Sequence, residues 1–324
     1  VGLAAAIARA ARLAQRYSRP IGALVQESER ISRGDLEPGP AIGSSITEVR
    51  RLADAHDRMR VSLRTLLKLE RDLQVARRIQ QDTLPERLPA VRGFEIDAWN
   101  EPAEETGGDT YDVIGYRRGP GDRAAELSLT DADGAVILLA DATGHGIGPA
   151  LSVTQVRAML RMAIRVGEEL PTIVRHLNAQ LCADSSDGRF VSAWLGRIDA
   201  ARETLSGFSC GQGPLLYYRA AERACRVLDA DAAPLGCLED LEVNLREPIR
   251  MEPGDVFAVL SDGVVEAVNA EGEQFGTKRV VDLIARHHEA SAAALMAALK
   301  EALAAFTGSS PADDDRTVIL IKRC

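Results

Sequence analysis

The sequence predicts an α+β protein, with a helical N-terminal part followed by a layered domain of sheets and helices. Two observations predict this. Between residues 20 and 84, apolar side chains recur every three or four positions, the spacing of one helix face. Beyond Pro89, short apolar or alternating runs take over, and several follow one another directly, which disfavours a doubly wound parallel sheet. With 46% apolar and 27% charged residues in 324, the chain can build a sizeable core and about two domains.

The opening stretch from Val1 to Ala8 is apolar but shorter than the roughly 20 residues that span a bilayer. Arg9, Arg12, Arg16 and Arg19 follow, with no acid before Glu27. Residues 1–19 are therefore expected to be the end of a membrane helix and its basic juxtamembrane segment, with the rest of the chain facing the cytoplasm from the inner membrane. A soluble amphipathic helix is the alternative.

Pro20 is expected to open a helix at its first turn. Ile21, Leu24, Ser28 and Ile31 form a heptad stripe, Gly34-Asp35-Leu36 breaks it, and residues 37–45, with two prolines and two glycines, read as a connector. The stripe resumes at Val49 with Leu52, His56, Met59, Leu63 and Leu66. Leu69, Leu73 and Ala76 follow in a shifted register, and Pro85 and Pro89 stop the helix. Arg19-Pro20-Ile21, Gly34-Asp35-Leu36 and the second helix through Glu48, Leu52 and Met59 together resemble a HAMP signalling module over residues 20–66. That resemblance implies a homodimeric parallel four-helix bundle that relays signals from a membrane segment. Residues 67–89 then read as a linker or switch helix, and residues 90–324 as the second domain.

In that domain, residues 94–99, 135–140, 191–198, 215–218, 256–260 and 318–321 read as strands. Helical stretches are expected near 149–166, 171–183, 278–288 and 291–306. A formal charge of -9 and 4% aromatic residues argue against a nucleic-acid surface. The five cysteines form no C-x-x-C pair and do not interleave with the histidines, so neither a zinc site nor a disulfide framework is expected.

Four acidic clusters stand at strand edges: Gly107-Gly108-Asp109-Thr110-Tyr111-Asp112, Asp141 through Gly146, Ser261-Asp262-Gly263, and Asp313-Asp314-Asp315-Arg316-Thr317. A carboxylate placed where a strand leaves the core is rigidly held yet reaches a cleft. Several converging carboxylates repel one another unless a cation sits between them. Ligands that are all oxygen point to Mg²⁺ or Mn²⁺, and two such ions can bind a phosphoryl group and activate water. Each cluster alone has an ordinary reading, as a turn or a solvated acidic loop.

Together the clusters make the chain resemble the SpoIIE and RsbU group of PPM-type (protein phosphatase 2C-like) bacterial phosphatases. The matching pieces are Ala76-Arg77-Arg78-Ile79-Gln80 with Leu84-Pro85, Pro102-Ala103-Glu104-Glu105 with Gly107-Gly108-Asp109 and Tyr111-Asp112, Asp141 through Gly146, Gly211 with Gly213-Pro214-Leu215, Pro234-Leu235-Gly236, Ser261 through Ala267, and Asp314-Asp315-Arg316-Thr317. The resemblance implies an α-β-β-α sandwich of two antiparallel sheets flanked by helices. It implies two Mn²⁺ or Mg²⁺ ions: Asp141 bridging them, the Ala142 carbonyl completing one site, Asp262 and Asp314 holding the other, and Asp109 acting as a ligand directly or through water. It implies hydrolysis of phosphoserine or phosphothreonine by a metal-bound hydroxide. The expected substrate is a phosphorylated protein, by analogy a STAS-type anti-sigma-factor antagonist. Gln212 stands where many relatives have His, and His145 could protonate the leaving hydroxyl or cap its loop. Two rivals are a diguanylate cyclase-like enzyme, suggested by Gly107-Gly108-Asp109, and a non-enzymatic docking switch. The first leaves Asp262 and Asp314 unexplained, and the second leaves all four aspartates without a role.

Overall fold

The computed structural model describes residues 2–103, 107–118, 124–144, 146–184, 188–308 and 312–324. Val1, Glu104, Glu105 and His145, all singled out by the sequence, lie outside the described residues. The chain divides into two compact units, Val1–Val75 and Ala76–Cys324.

In the first unit, α1 (Gly2–Ser32) and the start of α2 (Thr47–Thr83) flank an irregular connector. Pro20 does not open a helix but lies inside α1. The residues before it are rich in Ala, Leu and Arg, strong helix formers, and carry the helix through the bond that Pro20 cannot donate. Leu24 and Val49 are buried. Ser28 Oγ meets His56 Nε2 at 2.8 Å, and the buried Arg60 reaches back to the Leu36 carbonyl at 2.8 Å, which pins the connector. Part of the predicted stripe stays exposed in the single chain: Ile21, Leu52, Met59 and Leu66 are each about half exposed. No helix among the described residues is long and apolar enough to cross a membrane.

The second unit is a sandwich of two antiparallel sheets. Its strands are β1 (Phe94–Glu101), β2 (Asp109–Arg118), β3 (Ala124–Leu127), β4 (Gly134–Ala142), β5 (Val191–Asp199), β6 (Thr204–Cys210), β7 (Leu215–Arg219), β8 (Ala224–Leu228), β9 (Ile249–Arg250), β10 (Val256–Leu260) and β11 (Arg316–Arg323). One sheet runs β1-β11-β10-β7-β8 and the other β3-β2-β4-β5-β6-β9. Helices α3 (Ile147–Arg165) and α4 (Leu170–Asp184) cover the second sheet. The four-residue α5 (Asp262–Val265), α6 (Gly276–His287) and α7 (Ala292–Thr307) lie on the side of the first. Three apolar layers result. Ile137, Leu139, Trp194, Phe257, Ile319 and Ile321 fill the space between the sheets, and each outer face packs against its own helices.

The strand alternation explains the layering. In β4, Ile137 and Leu139 face the partner sheet, while Val136, Leu138 and Ala140 face α3 and α4, so the run is apolar throughout. Along α3, Val153, Val156, Leu160 and Ile164 recur at spacings of three and four, the face turned to the sheet. Ser291 caps α7 by accepting from the Ala294 amide at 3.2 Å.

Candidate active site

The four predicted acidic clusters meet at one end of the sandwich. Asp109 opens β2 and Asp141 stands near the end of β4, and they are direct cross-strand partners. Ser192 of β5 is the partner of Asp141 on its other side. From the facing sheet, β10 ends at Leu260 and leads through Ser261 to Asp262, while Asp314 and Asp315 immediately precede β11. A cleft of about 500 Å³ is lined by Asp141, Ala142, Ser192, Asp262, Asp314 and Asp315, among others. Every predicted site residue except Asp109 lines this cleft; Asp109 lies just behind it, 5% exposed.

Like charges placed directly opposite one another in a sheet are destabilising, and the titration behaviour follows. Burial, and then the neighbouring Asp141, push the Asp109 carboxyl well above its ordinary range. Burial, and then Asp262, Asp314 and Asp315, push Asp141 up to about 7. Burial and Asp314 raise Asp262.

Hydrogen bonds hold these groups in place. Thr317 Oγ1 donates to Asp109 Oδ2 at 2.6 Å and accepts from Asn100 Nδ2 at 2.8 Å. Ser261 Oγ accepts from the Thr317 amide at 2.8 Å and donates to the Asp315 carbonyl at 3.1 Å, tying β10 to β11. Asp315 has a role that the sequence did not reveal. Its carboxylate accepts from the Ala103 amide at 2.7 Å and from the Asp109 amide at 3.1 Å, so it braces the strand that carries Asp109. Gln80, in the last turn of α2, grips the same loop: it donates to the Gly107 carbonyl at 2.7 Å and accepts from the Gly107 amide at 3.2 Å. Gln212 is buried at the junction of the two sheets.

Backbone openness completes the cleft. A Cβ on Gly108 would stand 2.8 Å from the Ala142 carbonyl oxygen, 3.1 Å from the Gly144 carbonyl oxygen and 3.4 Å from Asp141 Oδ1. Only glycine leaves free the space on which those oxygens converge. Carboxylates and carbonyls alone, at a point where negative charge is crowded, suit a hard divalent cation such as Mn²⁺ or Mg²⁺. The donor set fits such an ion in chemistry; among the described residues, no three acidic, His or Cys side chains yet close on a single point.

A pH dependence follows. Asp109 and Asp141 hold protons more tightly folded than unfolded, where an aspartate titrates near 3.8. Their contribution to stability is full below that value and is lost as pH rises, for Asp141 through about 7. In chelator, the melting temperature is expected to fall between pH 5 and 8, and Mn²⁺ at pH 8 to restore it. A melting temperature that stays flat or rises in chelator over that window would count against the crowded-carboxylate description.

The family signature described as Stage II sporulation protein E (SpoIIE) matches residues 131–324, and that of the HAMP domain matches residues 12–65. Protein IcfG of Synechocystis is 24% identical over 342 residues, covering 94% of this chain and 51% of that protein. The phosphoserine phosphatase RsbU of Bacillus subtilis is 22% identical over 205 residues, covering 63% of this chain and 56% of that protein. The chain thus spans about half the length of these curated relatives. The solved SiaA-PP2C domain of Pseudomonas aeruginosa superposes with a TM-score of 0.63 at 22% identity, covering 80% of this chain and 98% of that domain.

Proposed function

The chain belongs to the SpoIIE family of PPM-type phosphatases, and from that premise we propose that it is a metal-dependent protein phosphatase acting on phosphoserine or phosphothreonine. One observation carries the reading: Asp141 lines a single cleft with Asp262 and Asp314, which flank strands of the facing sheet, and Asp109 is paired with Asp141 directly behind it. Asp141, the Ala142 carbonyl and Asp109 would hold one divalent cation, with Asp141 shared toward a second held by Asp262 and Asp314. Bound there, the two ions would supply charge neutralisation for the phosphoryl group and an acidified water. The chain's own part is to fix the oxygens: Thr317 orients Asp109, Asp315 anchors its strand, and Gly108 keeps the floor of the cleft clear. A diguanylate cyclase is set aside, since that reading leaves Asp262 and Asp314, which line the cleft with Asp141, without a role.

The proposed substrate is a phosphorylated STAS-type anti-sigma-factor antagonist, by analogy with the family. The purified chain with Mn²⁺ is expected to hydrolyse p-nitrophenyl phosphate, and to dephosphorylate a cognate phospho-STAS protein much faster than a generic phosphopeptide. No hydrolysis at any Mn²⁺ concentration would overturn the enzyme reading; equal rates on both protein substrates would overturn only the substrate.

The N-terminal unit is proposed to form a parallel homodimer, attached to the inner membrane through a segment at or before residue 1 and facing the cytoplasm. The half-exposed stripe of Ile21, Leu52, Met59 and Leu66 supports the dimer, since short heptad helices are marginal alone. The helix from about Leu66 to Leu84 is proposed as a switch. What supports it is the register change after Leu66 and the grip of Gln80 on Gly107, two residues from Asp109. Light scattering is expected to give a dimer, and Leu73→Ala, Ile79→Ala or Gln80→Leu to change the apparent Mn²⁺ affinity or basal rate. A monomer at tens of micromolar would refute the first, and unchanged kinetics in all three variants the second.

A further inference from the structure

Gln212 lies between β6 of one sheet and β7 of the other, and is 2% exposed. Its carboxamide bridges two strands that end at the cleft. Nε2 donates to the Leu260 carbonyl at 2.8 Å, and Oε1 accepts from Ser192 Oγ at 3.1 Å. Its own carbonyl accepts from the fully buried Ser209 hydroxyl. The amide orientation is dictated by chemistry, because a backbone carbonyl can only accept and so must face the NH₂ group.

Each end of the bridge stops next to an acidic residue. Leu260 is the last residue of β10, two positions before Asp262. Ser192 is the direct cross-strand partner of Asp141 in the β4–β5 ladder, so the hydroxyl that Gln212 holds belongs to the residue beside that carboxylate. Asp141 belongs to one sheet, and Asp262 follows the end of β10 in the other. A buried carboxamide is costly unless both its ends are satisfied. Methionine would fill a similar volume without that demand. The donor on one side and the acceptor on the other are what this position needs.

We infer that Gln212 is a positioning residue that fixes the spacing between Asp141 on one sheet and Asp262 on the other, and thereby sets the affinity of the cleft for divalent cations. The inference rests on the phosphatase reading above. Gln212 touches neither a substrate nor the cation: it acts through Ser192 on one side and through the end of β10 on the other. Outer groups of this kind typically change metal affinity by about 10- to 100-fold when lost.

The test is a Mn²⁺ titration of the full chain followed by the electron paramagnetic resonance of free Mn²⁺, which needs no turnover. Gln212→Met is expected to weaken Mn²⁺ binding by about tenfold or more, while the melting temperature in chelator changes little. Activity on p-nitrophenyl phosphate should fall at limiting Mn²⁺ and largely return at saturation. Gln212→His, which keeps a donor and an acceptor, should recover part of the affinity. Ser192→Ala should weaken binding by itself, and the Ser192→Ala, Gln212→Met pair should cost less than the sum of the two. Unchanged Mn²⁺ affinity in Gln212→Met, or additive effects in the pair, would overturn the positioning role. Should Gln212→Met fail to fold, Ser192→Ala decides alone, and unchanged affinity there overturns it. If the parent chain bound no Mn²⁺ at all, the phosphatase reading itself would fall, an outcome distinct from a normal parent with an indifferent variant.

Discussion

Asp262→Asn is expected to reduce turnover on p-nitrophenyl phosphate by roughly 10³-fold or more at saturating Mn²⁺, with the fold intact. The magnitude follows from losing several kcal/mol of charge stabilisation, at about 1.4 kcal/mol for each factor of ten. The fold survives because Asp262 stands at the first position of α5 and opens onto the cleft, outside the apolar layers. Its one close backbone bond, in which Oδ1 accepts from the Gly263 amide at 2.8 Å, can be kept by the carboxamide oxygen. Surface substitutions of this kind change stability by about 0.5 kcal/mol or less. Circular dichroism and melting should therefore match the parent while the rate collapses. Full activity of Asp262→Asn at saturating Mn²⁺ would sink the two-ion assignment.

Gly263→Ala is expected to damage both stability and rate. A Cβ at that position would lie 2.1 Å from the Asp315 carbonyl oxygen, 3.0 Å from the Asp315 carbonyl carbon and 3.1 Å from that of Asp314. All three are backbone atoms, so no side chain can swing aside. The start of β11 must move, and with it Asp314, Asp315 and the bonds from Ser261. Overpacking of this kind costs about 1–3 kcal/mol, which corresponds to a fall of roughly 5 °C in melting temperature. Turnover should drop at least tenfold and stay low in excess Mn²⁺, because the ligands themselves are displaced. Gly43→Ala, with nothing within 4 Å of the added atom, is the control and should leave melting unchanged. A Gly263→Ala protein with normal melting and rate would show that α5 and β11 are not in close backbone contact at this point.

Much of the sandwich was legible because its strands are plain. The run Ala135 to Ala140 and the run Val256 to Leu260 are apolar at every position, buried on both faces, and could hardly be anything else. β2 was harder. Asp109–Arg118 carries Asp, Thr, Tyr, Gly and Arg among its residues, yet its first eight positions are buried. The reason lies far along the chain: Asp112 is fully buried because Arg157 and Arg161 of α3 reach it at 3.0 and 2.5 Å. No local pattern announces such a partner. The same holds at the site. Asp109, Asp141, Asp262 and Asp314 were visible as acids at strand edges. Asp315 was visible only as part of an acidic run, since its function is defined by the amides of Ala103 and Asp109, more than 200 positions away. Ser192 carried no signal beyond being a polar residue near the start of an apolar strand.

The place of β11 in its sheet has a consequence for how the protein comes into being. It is the final strand in chain order, yet it sits between β1 and β10, paired with both. A nascent chain can complete the other sheet first, but the sheet that carries Asp262 stays split until residues 316–323 have left the ribosome. Asp314 arrives only at that moment. A translation product cut short anywhere before it would hold two unjoined halves and a partial set of carboxylates. Premature termination or C-terminal clipping before Asp314 is thus expected to leave a fragment with an open sheet and an incomplete set of carboxylates.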